Sequence, residues 1–485
     1  MADTNEKKAV PQEDVDIQDI NTLEAQTLTK PMGKWEAFYR GTLFQMLVTG
    51  AVAFAGPAMS DALSGLGGGG LATPYTANAG SAASYSMMAV TCLFGGPLIN
   101  RLGVKWSLAL GAMAFPLNGS SLYVNSKYGI QWYLIFGHAV SGLGTGLWYV
   151  AEAAIILSYP EPGRRGRYLA LWILSRNLGQ LVGGAINLSV NVNTDTTGGI
   201  SPSTYLIFVG IECIGFPAAL FLSPPEKVRR ADGTGVHVAA GKSTWKNEFI
   251  ELGKVITLKR TLLLVGFFFY SFFYISVYGT YLSTYFTVRA RALSSLVSPA
   301  FCIVGCFALG WILDLENFTQ RKRAQMGFAL VVISAITIYI YTCVVQAGFN
   351  AHDPGTFDWT SPGWARAFMP YFLIQTFGPI GQSYMYWLIS CYAKDVQTNS
   401  RNAGVFRSLE AVGQAVSYGI NSHAENLFVG FGINFGLLVV VAPLMYLVVR
   451  TVPERMPMEI EEQKDLERAK AQVQHAQEQE ELEEK

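Results

Sequence analysis

The chain of 485 residues is 51% hydrophobic and 14% charged, with a mean hydropathy of +0.27. Soluble domains carry about 25% charged residues, so this composition excludes an ordinary soluble protein and favours an integral membrane protein. The formal net charge is zero, and we therefore expect no nucleic-acid partner. The six cysteines are scattered singly, so neither a disulfide framework, a metal site nor a cofactor is expected.

Apolar segments of about 20 residues, each long enough for one crossing of a lipid bilayer, predict an all-α membrane fold of twelve transmembrane helices in two six-helix bundles. The first bundle is predicted within residues 35–222 and the second within 260–450, joined by a polar cytoplasmic linker at 223–259. Residues 1–34 lack the apolar core of a secretory signal, and we expect them, like the charged residues 451–485, to be cytoplasmic tails. The predicted crossings are centred near Val52, Ala89, Ala114, Thr145, Gly179, Ile211, Tyr274, Val304, Ser334, Gly378, Gly413 and Val439.

Lysine and arginine are unevenly distributed among the short loops. With a cytoplasmic N-terminus, the inner loops hold ten of these residues and the outer loops four. The positive-inside rule therefore predicts that both termini are cytoplasmic. Arg289 and Arg291 are exceptions in an outer loop, where they mark either the mouth of a pathway or a tolerated basic loop.

The fifth crossing of each half is an internal repeat. RYLALWILSRNLGQLVGGAIN at 167–187 aligns without a gap with RNAGVFRSLEAVGQAVSYGIN at 401–421, and Arg167 matches Arg401. Such parallel repeats are the layout of transporters whose two bundles rock about a site at the middle of the membrane.

Two loops share a second pattern: GPLINRLGVK at 96–105 follows the second crossing, and GWILDLENFTQRKR at 310–323 follows the eighth. It resembles the signature of the major facilitator superfamily: Gly, three residues, Asp, Arg, one residue, Gly and a basic pair. We interpret both loops as conformational latches whose charges bridge helix ends, and we expect the first to be weaker because Asn100 replaces the acidic residue. The latch residues are Gly96, Asn100, Arg101, Gly103 and Lys105 in the first loop and Gly310 and Asp314 in the second.

Two further segments, GLWYVAEAAIILSYPEPGRRGRYLALW and LSPPEKVRRADGT, resemble the fungal branch of the uncoordinated-93-like family within that superfamily. The resemblance covers roughly residues 35–450 and implies a membrane protein with the major facilitator fold. It leaves two functions open, since animal members regulate potassium channels or escort receptors and fungal members are generally presumed to be transporters.

Charged residues inside the crossings are the first candidates for chemistry, because a charge at mid-bilayer depth costs about 2.5–3.5 kcal/mol. Glu152, in the fourth crossing, is the first candidate for a carboxylate that binds protons or contacts substrate. The alternative is a structural ion pair between Glu152 and Arg176. Glu212 is expected to be structural.

Arg176 and Glu410 occupy equivalent positions in the two repeats and carry opposite charges. They could pair across the interface between the two halves. Such a pair would form in one conformational state and break in another, which would couple the two states. Alternatively, Arg407 neutralises Glu410 within its own helix, which needs no long-range geometry and which we favour.

Tyr278 belongs to a series of tyrosines at helical spacing in the seventh crossing. These side chains either line an aromatic cavity for an organic solute or pack towards lipid.

The sequence thus predicts a secondary transporter that moves a small solute across a lipid bilayer by alternating access, with proton coupling through Glu152 as a hypothesis. The alternative is a non-transporting regulator or escort of a channel or receptor, which would bind its protein partner through the tails. An enzyme is not expected, because no nucleophile, base and orienting group cluster at any helix end.

Overall fold

The computed structural model describes residues 33–71, 74–161, 164–194, 199–230, 236, 244–315, 317–393, 396–423, 426–455, 457 and 460. Nearly all of the two predicted tails, at 1–34 and 451–485, therefore lies outside the described residues. Within them the chain folds into helices that form twelve spans in two halves, as the sequence predicts.

The N-terminal half begins with the short helix Lys34–Tyr39 and continues with six spans. Span 1 consists of Thr42–Ala55 and Pro57–Ser64, span 2 of Pro74–Leu102, span 3 of Val104–Ala112 and Ala114–Tyr128, span 4 of Gln131–Ser158, span 5 of Arg165–Asn191, and span 6 of Pro202–Glu212 and Gly215–Ala219.

The C-terminal half follows a helix within the predicted linker, Trp245–Thr257, which we call the linker helix. Span 7 consists of Lys259–Tyr270 and Tyr274–Tyr285, span 8 of Val288–Leu313, span 9 of Gln320–Ala351, span 10 of Trp364–Ser390, span 11 of Val396–Ile420, and span 12 of Leu427–Val449. All twelve predicted centres lie inside these helices.

Proline explains three of the four broken spans. A proline inside a helix removes one backbone hydrogen bond and clashes with the carbonyl four residues earlier. Pro57 directly follows the break at Gly56 in span 1. Pro116 lies four residues after Ala112, the last residue of the first helix of span 3, and Pro217 lies four residues after Cys213, which caps the first helix of span 6.

Among the described residues, eight helices are long and apolar enough to cross a membrane by composition alone, and spans 3, 5, 10 and 11 fall outside that set. Spans 5 and 11 carry charged and amide side chains, among which Arg407, Glu410 and Gln414 are buried inside the protein. Polar residues on these spans therefore face the protein interior, where they find partners that lipid could not supply.

The two halves meet along two pairs of spans, with span 2 packed on span 11 and span 5 on span 8. We call the end of the bundle that carries the linker helix the linker end, and the opposite end the far end. At the far end, Nδ2 of Asn78 donates to the carbonyl oxygen of Asn421 (2.7 Å) and to Oγ1 of Thr280 (3.1 Å). The hydroxyl of Tyr371 donates to the carbonyl of Gly65 (3.0 Å). The halves are thus in contact at the far end.

Two glycines on the paired spans allow close approach between the halves. A Cβ atom on Gly184 of span 5 would collide with the backbone of Ser295 and Leu296 in span 8. A Cβ atom on Gly404 of span 11 would lie 2.7 Å from the carbonyl oxygen of Cys92 in span 2. Gly184 belongs to the far-end part of the interface and Gly404 to its linker-end part.

Candidate functional site

A cavity of about 220 Å³ lies between the two halves. Spans 1 to 5 line it from one side and spans 7, 8, 10 and 11 from the other. Among the described lining residues, the charged side chains are Asp61 and Arg176, and the rest are mainly hydroxyl, amide, aromatic and small apolar groups. The lining therefore carries no net charge.

Asp61 is the centre of the polar network in this cavity. Its Oδ2 accepts hydrogen bonds from Nη2 (2.7 Å) and Nε (3.1 Å) of Arg176 and from Nε2 of Gln180 (2.8 Å). Among the described residues, no protein group donates to its second oxygen, Oδ1. The side chain of Asp61 keeps 30% of its surface exposed and that of Arg176 keeps 16%, so this ion pair can contact a solute in the cavity.

Tyr149 of span 4 joins this pair to a second ion pair from the other half. Nη2 of Arg176 donates to the hydroxyl of Tyr149 (3.3 Å), and the guanidinium carbon of Arg407 lies 3.8 Å from the centre of the same ring. Arg407 forms its ion pair with Glu410, to which Nε2 of Gln382 also donates (3.0 and 3.1 Å). A continuous polar chain therefore crosses the interface between the halves.

The favoured local pairing of Arg407 with Glu410 is thus what the structure shows. The alternative pair between Arg176 and Glu410 is not formed in this structure, because each of these described side chains has a different partner.

Glu152 does not line the cavity. Its side chain is buried in span 4, and its Oε1 accepts a hydrogen bond from Nε1 of Trp172 (2.5 Å), a residue that does line the cavity. The alternative ion pair of Glu152 with Arg176 needs correction too, since Arg176 pairs with Asp61. Glu152 therefore holds the orientation of Trp172 from one layer behind the cavity wall.

Tyr278 lies in neither of the two expected environments. It is fully buried inside the C-terminal half, where its hydroxyl shares a hydrogen bond with Thr342 (2.8 Å) and its ring packs edge-on against Phe431. It is therefore a packing residue of spans 7, 9 and 12, away from both lipid and cavity.

The first predicted latch loop meets the linker helix. Nδ2 of Asn100 donates to Oε2 of Glu248 (3.0 Å), and Arg401 at the start of span 11 donates to both oxygens of the same carboxylate (2.9–3.1 Å). The guanidinium of Arg101 lies 5.3 Å from the ring centre of Trp245. The acidic group that this loop lacks is thus present, and it comes from the linker.

The glycines of this loop serve the turn and the contact. Gly103 has a φ of +84°, which favours glycine, at the point where span 2 ends and span 3 begins. Gly96 lies against span 11, since a Cβ there would be 3.1 Å from Cα of Arg401. Lys105 is half-buried in the first turn of span 3.

The second predicted latch loop is simpler. The amide of Asp314 donates to the carbonyl of Gly310 (3.0 Å) and ends span 8. Burial raises the pKa of the Asp314 carboxyl above its ordinary value, against the opposing effect of Arg323 and Arg167. Arg167 is the repeat equivalent of Arg401, so both loops place their polar group towards the arginine that begins span 5 or span 11.

Asp61 is the residue that the sequence interpretation missed. It lies in the first crossing, in GPAMSDALSG, where the rule that singled out Glu152 applies equally. Gln180 bonds between helices by donating to Asp61, and it also lines the cavity.

Residues 38–418 match the sequence profile of the Major Facilitator Superfamily. The chain belongs to the major facilitator superfamily. Within it the chain is an UNC93-like member: it is 30% identical to UNC93-like protein 1 of Arabidopsis thaliana, over 86% of this chain and 92% of that protein. It is 28% identical to an UNC93-like protein of Schizosaccharomyces pombe, over 92% and 93% of the two chains.

A more similar relative is a notoamide biosynthesis cluster protein of Aspergillus versicolor, 39% identical over 81% of this chain and 86% of that protein. Among solved structures, the transporter FucP in its outward conformation superposes with a TM-score of 0.57 at 12% identity, over 85% of this chain and 99% of that one. The xylose transporter XylE of E. coli, in a partially occluded inward-open conformation, gives 0.57 at 16% identity, over 87% and 99%. This major facilitator fold supports a non-enzymatic, multi-pass membrane transporter.

Proposed function

We propose that this protein is a secondary transporter that moves a small polar solute through the cavity at Asp61 and Arg176 by alternating access. The observation that carries the proposal is the cavity itself, which lies between two halves that touch at both ends and which contains a partly exposed ion pair. A site enclosed between two mobile bundles is the arrangement that alternating access requires.

The lining favours a solute without net charge. Asp61 and Arg176 neutralise each other, so a charged solute would leave one uncompensated charge within the membrane, at a cost of several kcal/mol. The volume of about 220 Å³ is below the ~300–1,000 Å³ typical of pockets for drug-sized ligands. A small solute with several hydroxyl or amide groups fits both limits.

Asp61 replaces Glu152 as the proposed site of proton coupling. Its Oδ1 is available to a proton or a solute, and protonation of Asp61 would weaken its attraction for Arg176. Arg176 would then turn towards Tyr149 and the second ion pair, which links the state of the site to the contact between the halves. A structural neighbour described as a D-xylose-proton symporter shares the fold, with a TM-score of 0.54 at 15% identity, so proton coupling is compatible with this fold.

We propose the membrane orientation that the distribution of lysine and arginine predicts, with the linker end and both tails in the cytoplasm. The regulator or escort function remains the second candidate, because UNC93-like kinship is compatible with both functions. It differs from transport in predicting no movement of solute.

The test is untargeted solute profiling of vesicles that contain the purified protein, with a pH gradient imposed in each direction. Asp61→Asn is compared with Asp353→Asn, an exposed aspartate of a far-end loop. We expect selective accumulation of a polar solute by the native protein and by Asp353→Asn, with at least a roughly tenfold loss in Asp61→Asn, since Asn keeps the shape but leaves Arg176 unpaired. No selective accumulation by the folded native protein, together with a partner protein recovered from native membranes, would replace the transporter with the regulator.

A further inference from the structure

We infer that the linker helix is a clamp that holds the linker end closed, with Glu248 supplying the acidic group that the first latch loop lacks. This inference adds regulation to the proposed transport cycle and rests on it for its physiological meaning. The clamp itself can be measured without any solute.

Glu248 is the buried centre of the clamp. Its side chain is fully enclosed, although the linker helix lies in a stretch rich in charge, proline and glycine. A carboxylate removed from water needs compensating partners, and Glu248 receives four hydrogen bonds, three from Arg401 and one from Asn100. Asn100 belongs to span 2 of the N-terminal half, and Arg401 belongs to span 11 of the C-terminal half. One carboxylate thus ties the two halves together.

Asn100 suits this arrangement better than the aspartate of the superfamily signature. Its amide nitrogen donates to Glu248, and its amide oxygen accepts a hydrogen bond from Oγ of Ser400 (3.4 Å). An aspartate at position 100 would place a second carboxylate at about hydrogen-bonding distance from Glu248, where like charges repel. The departure from the signature and the buried acid in the linker are therefore two parts of one feature.

Apolar contacts extend the clamp along both halves. On the side of span 2, Phe249 packs edge-on against Phe94 and stacks with Trp245. The guanidinium of Arg101 lies over the ring of Trp245. On the side of span 11, Leu252 and Val255 form a small buried cluster with Val405. The linker helix therefore packs across the contact between spans 2 and 11 rather than lying on one half.

Opening of the linker end separates span 2 from span 11, so it must break the contacts of Glu248 with at least one half. The clamp consequently favours the conformation that is closed at the linker end. Any modification or partner that withdraws the linker helix from spans 2 and 11 would allow the linker end to open.

The linker helix also contains a matched control. Glu251, three residues after Glu248, keeps 44% of its side-chain surface exposed and pairs with Lys254 of the same helix (2.6 Å), so it contacts neither half through that pair. Glu248→Gln and Glu251→Gln make the same chemical change on the same helix, and they differ in whether the carboxylate bridges the halves.

The test is hydrogen–deuterium exchange of the full chain in lipid, for Glu248→Gln, Glu251→Gln, Asn100→Asp and the double variant Asn100→Asp with Glu248→Gln. We expect backbone amides of 244–258 and of the linker-end parts of spans 2 and 11 to exchange roughly tenfold faster in Glu248→Gln and in Asn100→Asp. Glu251→Gln should match the native protein.

The double variant exchanges the positions of acid and amide. The new amide on the linker helix can donate to the new carboxylate on span 2, and Arg401 keeps one carboxylate beside it. We expect the double variant to return the exchange to within about twofold of the native rate, even if Glu248→Gln alone folds poorly. Native exchange in Glu248→Gln, or a double variant as fast as the single ones, would overturn the clamp. Because no solute is involved, a failure of the transport proposal would leave this result unaffected.

Discussion

The two ion pairs at the interface differ in their surroundings at the scale of single residues. Asp61 and Arg176 retain surface in the cavity, whereas Arg407 and Glu410 keep 4% and 0% of their side-chain surface. A partly exposed pair can exchange partners with a solute, while a fully enclosed pair has no alternative partner outside the protein. The first pair therefore suits binding, and the second suits structural support of the interface.

The enclosed pair gives a prediction on stability. Glu410→Gln should destabilise the protein by about 3–5 kcal/mol, because it leaves the charge of Arg407 uncompensated inside the bundle. Thermal unfolding in detergent measures this as a lowered midpoint. The double variant Glu410→Gln with Arg407→Met removes both charges and should recover part of the loss. A Glu410→Gln protein with the native midpoint would show that the ring of Tyr149 suffices to hold Arg407 without a carboxylate.

The cavity gives a prediction on transport. Glu152→Gln should reduce the initial rate of uptake less than about threefold, because the glutamine oxygen still accepts the N–H of Trp172. Asp61→Asn should reduce the same rate more than about tenfold, since it changes the charge of the site itself. Uptake by the two variants, measured in vesicles of the same composition, decides whether Asp61 or Glu152 is central to transport. A larger loss in Glu152→Gln than in Asp61→Asn would return Glu152 to the centre of the mechanism.

The sequence could show which residues are costly to bury, but not which of them meet. The rule on charges in apolar segments identified Glu152, Arg176, Arg407 and Glu410, and it covers Asp61 as well. The pairing of Arg407 with Glu410 followed from spacing on one helix. The pairing of Arg176 with Asp61 joins two helices more than a hundred residues apart, and it depends on the rotation of each helix about its axis, which spacing alone does not determine.

At the scale of elements, the two close glycine contacts predict opposite conformational shifts. Gly184→Ala should push span 5 away from span 8 and open the far end, because the new methyl group collides with backbone atoms. Gly404→Ala should separate span 11 from span 2 and open the linker end. Hydrogen exchange at the two ends should therefore rise at the far end in the first variant and at the linker end in the second. A rise at the same end in both variants would contradict this assignment.

The far-end loop between spans 9 and 10 is held by Asp358, which predicts a pH response. Oδ1 and Oδ2 of Asp358 accept hydrogen bonds from Arg289 (2.7 and 2.5 Å), and these bonds, with others from Thr287 and Thr360, hold the pKa of Asp358 well below its ordinary value. A lowered pKa means that this stabilisation is complete above the unfolded value of about 3.9 and is lost as the pH falls through the folded value. The loop should therefore keep its protection from pH 8 to 5.

Asp358→Asn tests that contact directly. It should accelerate hydrogen exchange in residues 352–363 at every pH, after correction for the intrinsic pH dependence of exchange, because the charge that orients Arg289 is removed. Asp353→Asn, in the same loop but exposed, is the control and should leave the loop unchanged. Equal exchange in the two variants would mean that backbone bonds such as that from the amide of Phe357 to Tyr285 hold the loop.

Sequence pattern predicted the existence of all twelve spans, although only eight of the described helices are long and apolar enough to cross a bilayer by composition alone. It did not predict the helix at Trp245–Thr257, whose charged residues made the stretch resemble a plain linker. That helix is amphipathic, and its apolar face becomes informative only when spans 2 and 11 are known to lie beside it. The role of Glu248 was invisible for the same reason.

At the scale of the whole molecule, the two halves repeat one another but differ in their charges. Arg176 in span 5 corresponds to Glu410 in span 11, and Asp314 after span 8 corresponds to Asn100 after span 2. Equivalent positions therefore carry different groups on the two sides of the interface, so opening at one end breaks different contacts from opening at the other. Such a protein has two distinct closed interfaces around one cavity, as alternating access requires.

The most direct test of this account is whether the two ends open reciprocally. Spin labels at Lys227 and Lys322 report the distance between the halves at the linker end, and labels at Tyr128 and Asp353 report it at the far end, with the exposed Cys213 replaced by serine. Distances are measured by double electron–electron resonance in lipid. They should lengthen at the far end alone in Gly184→Ala and at the linker end alone in Gly404→Ala, with the opposite end closed in each case. Distances that stay fixed in both variants, or ends that open together, would contradict alternating access.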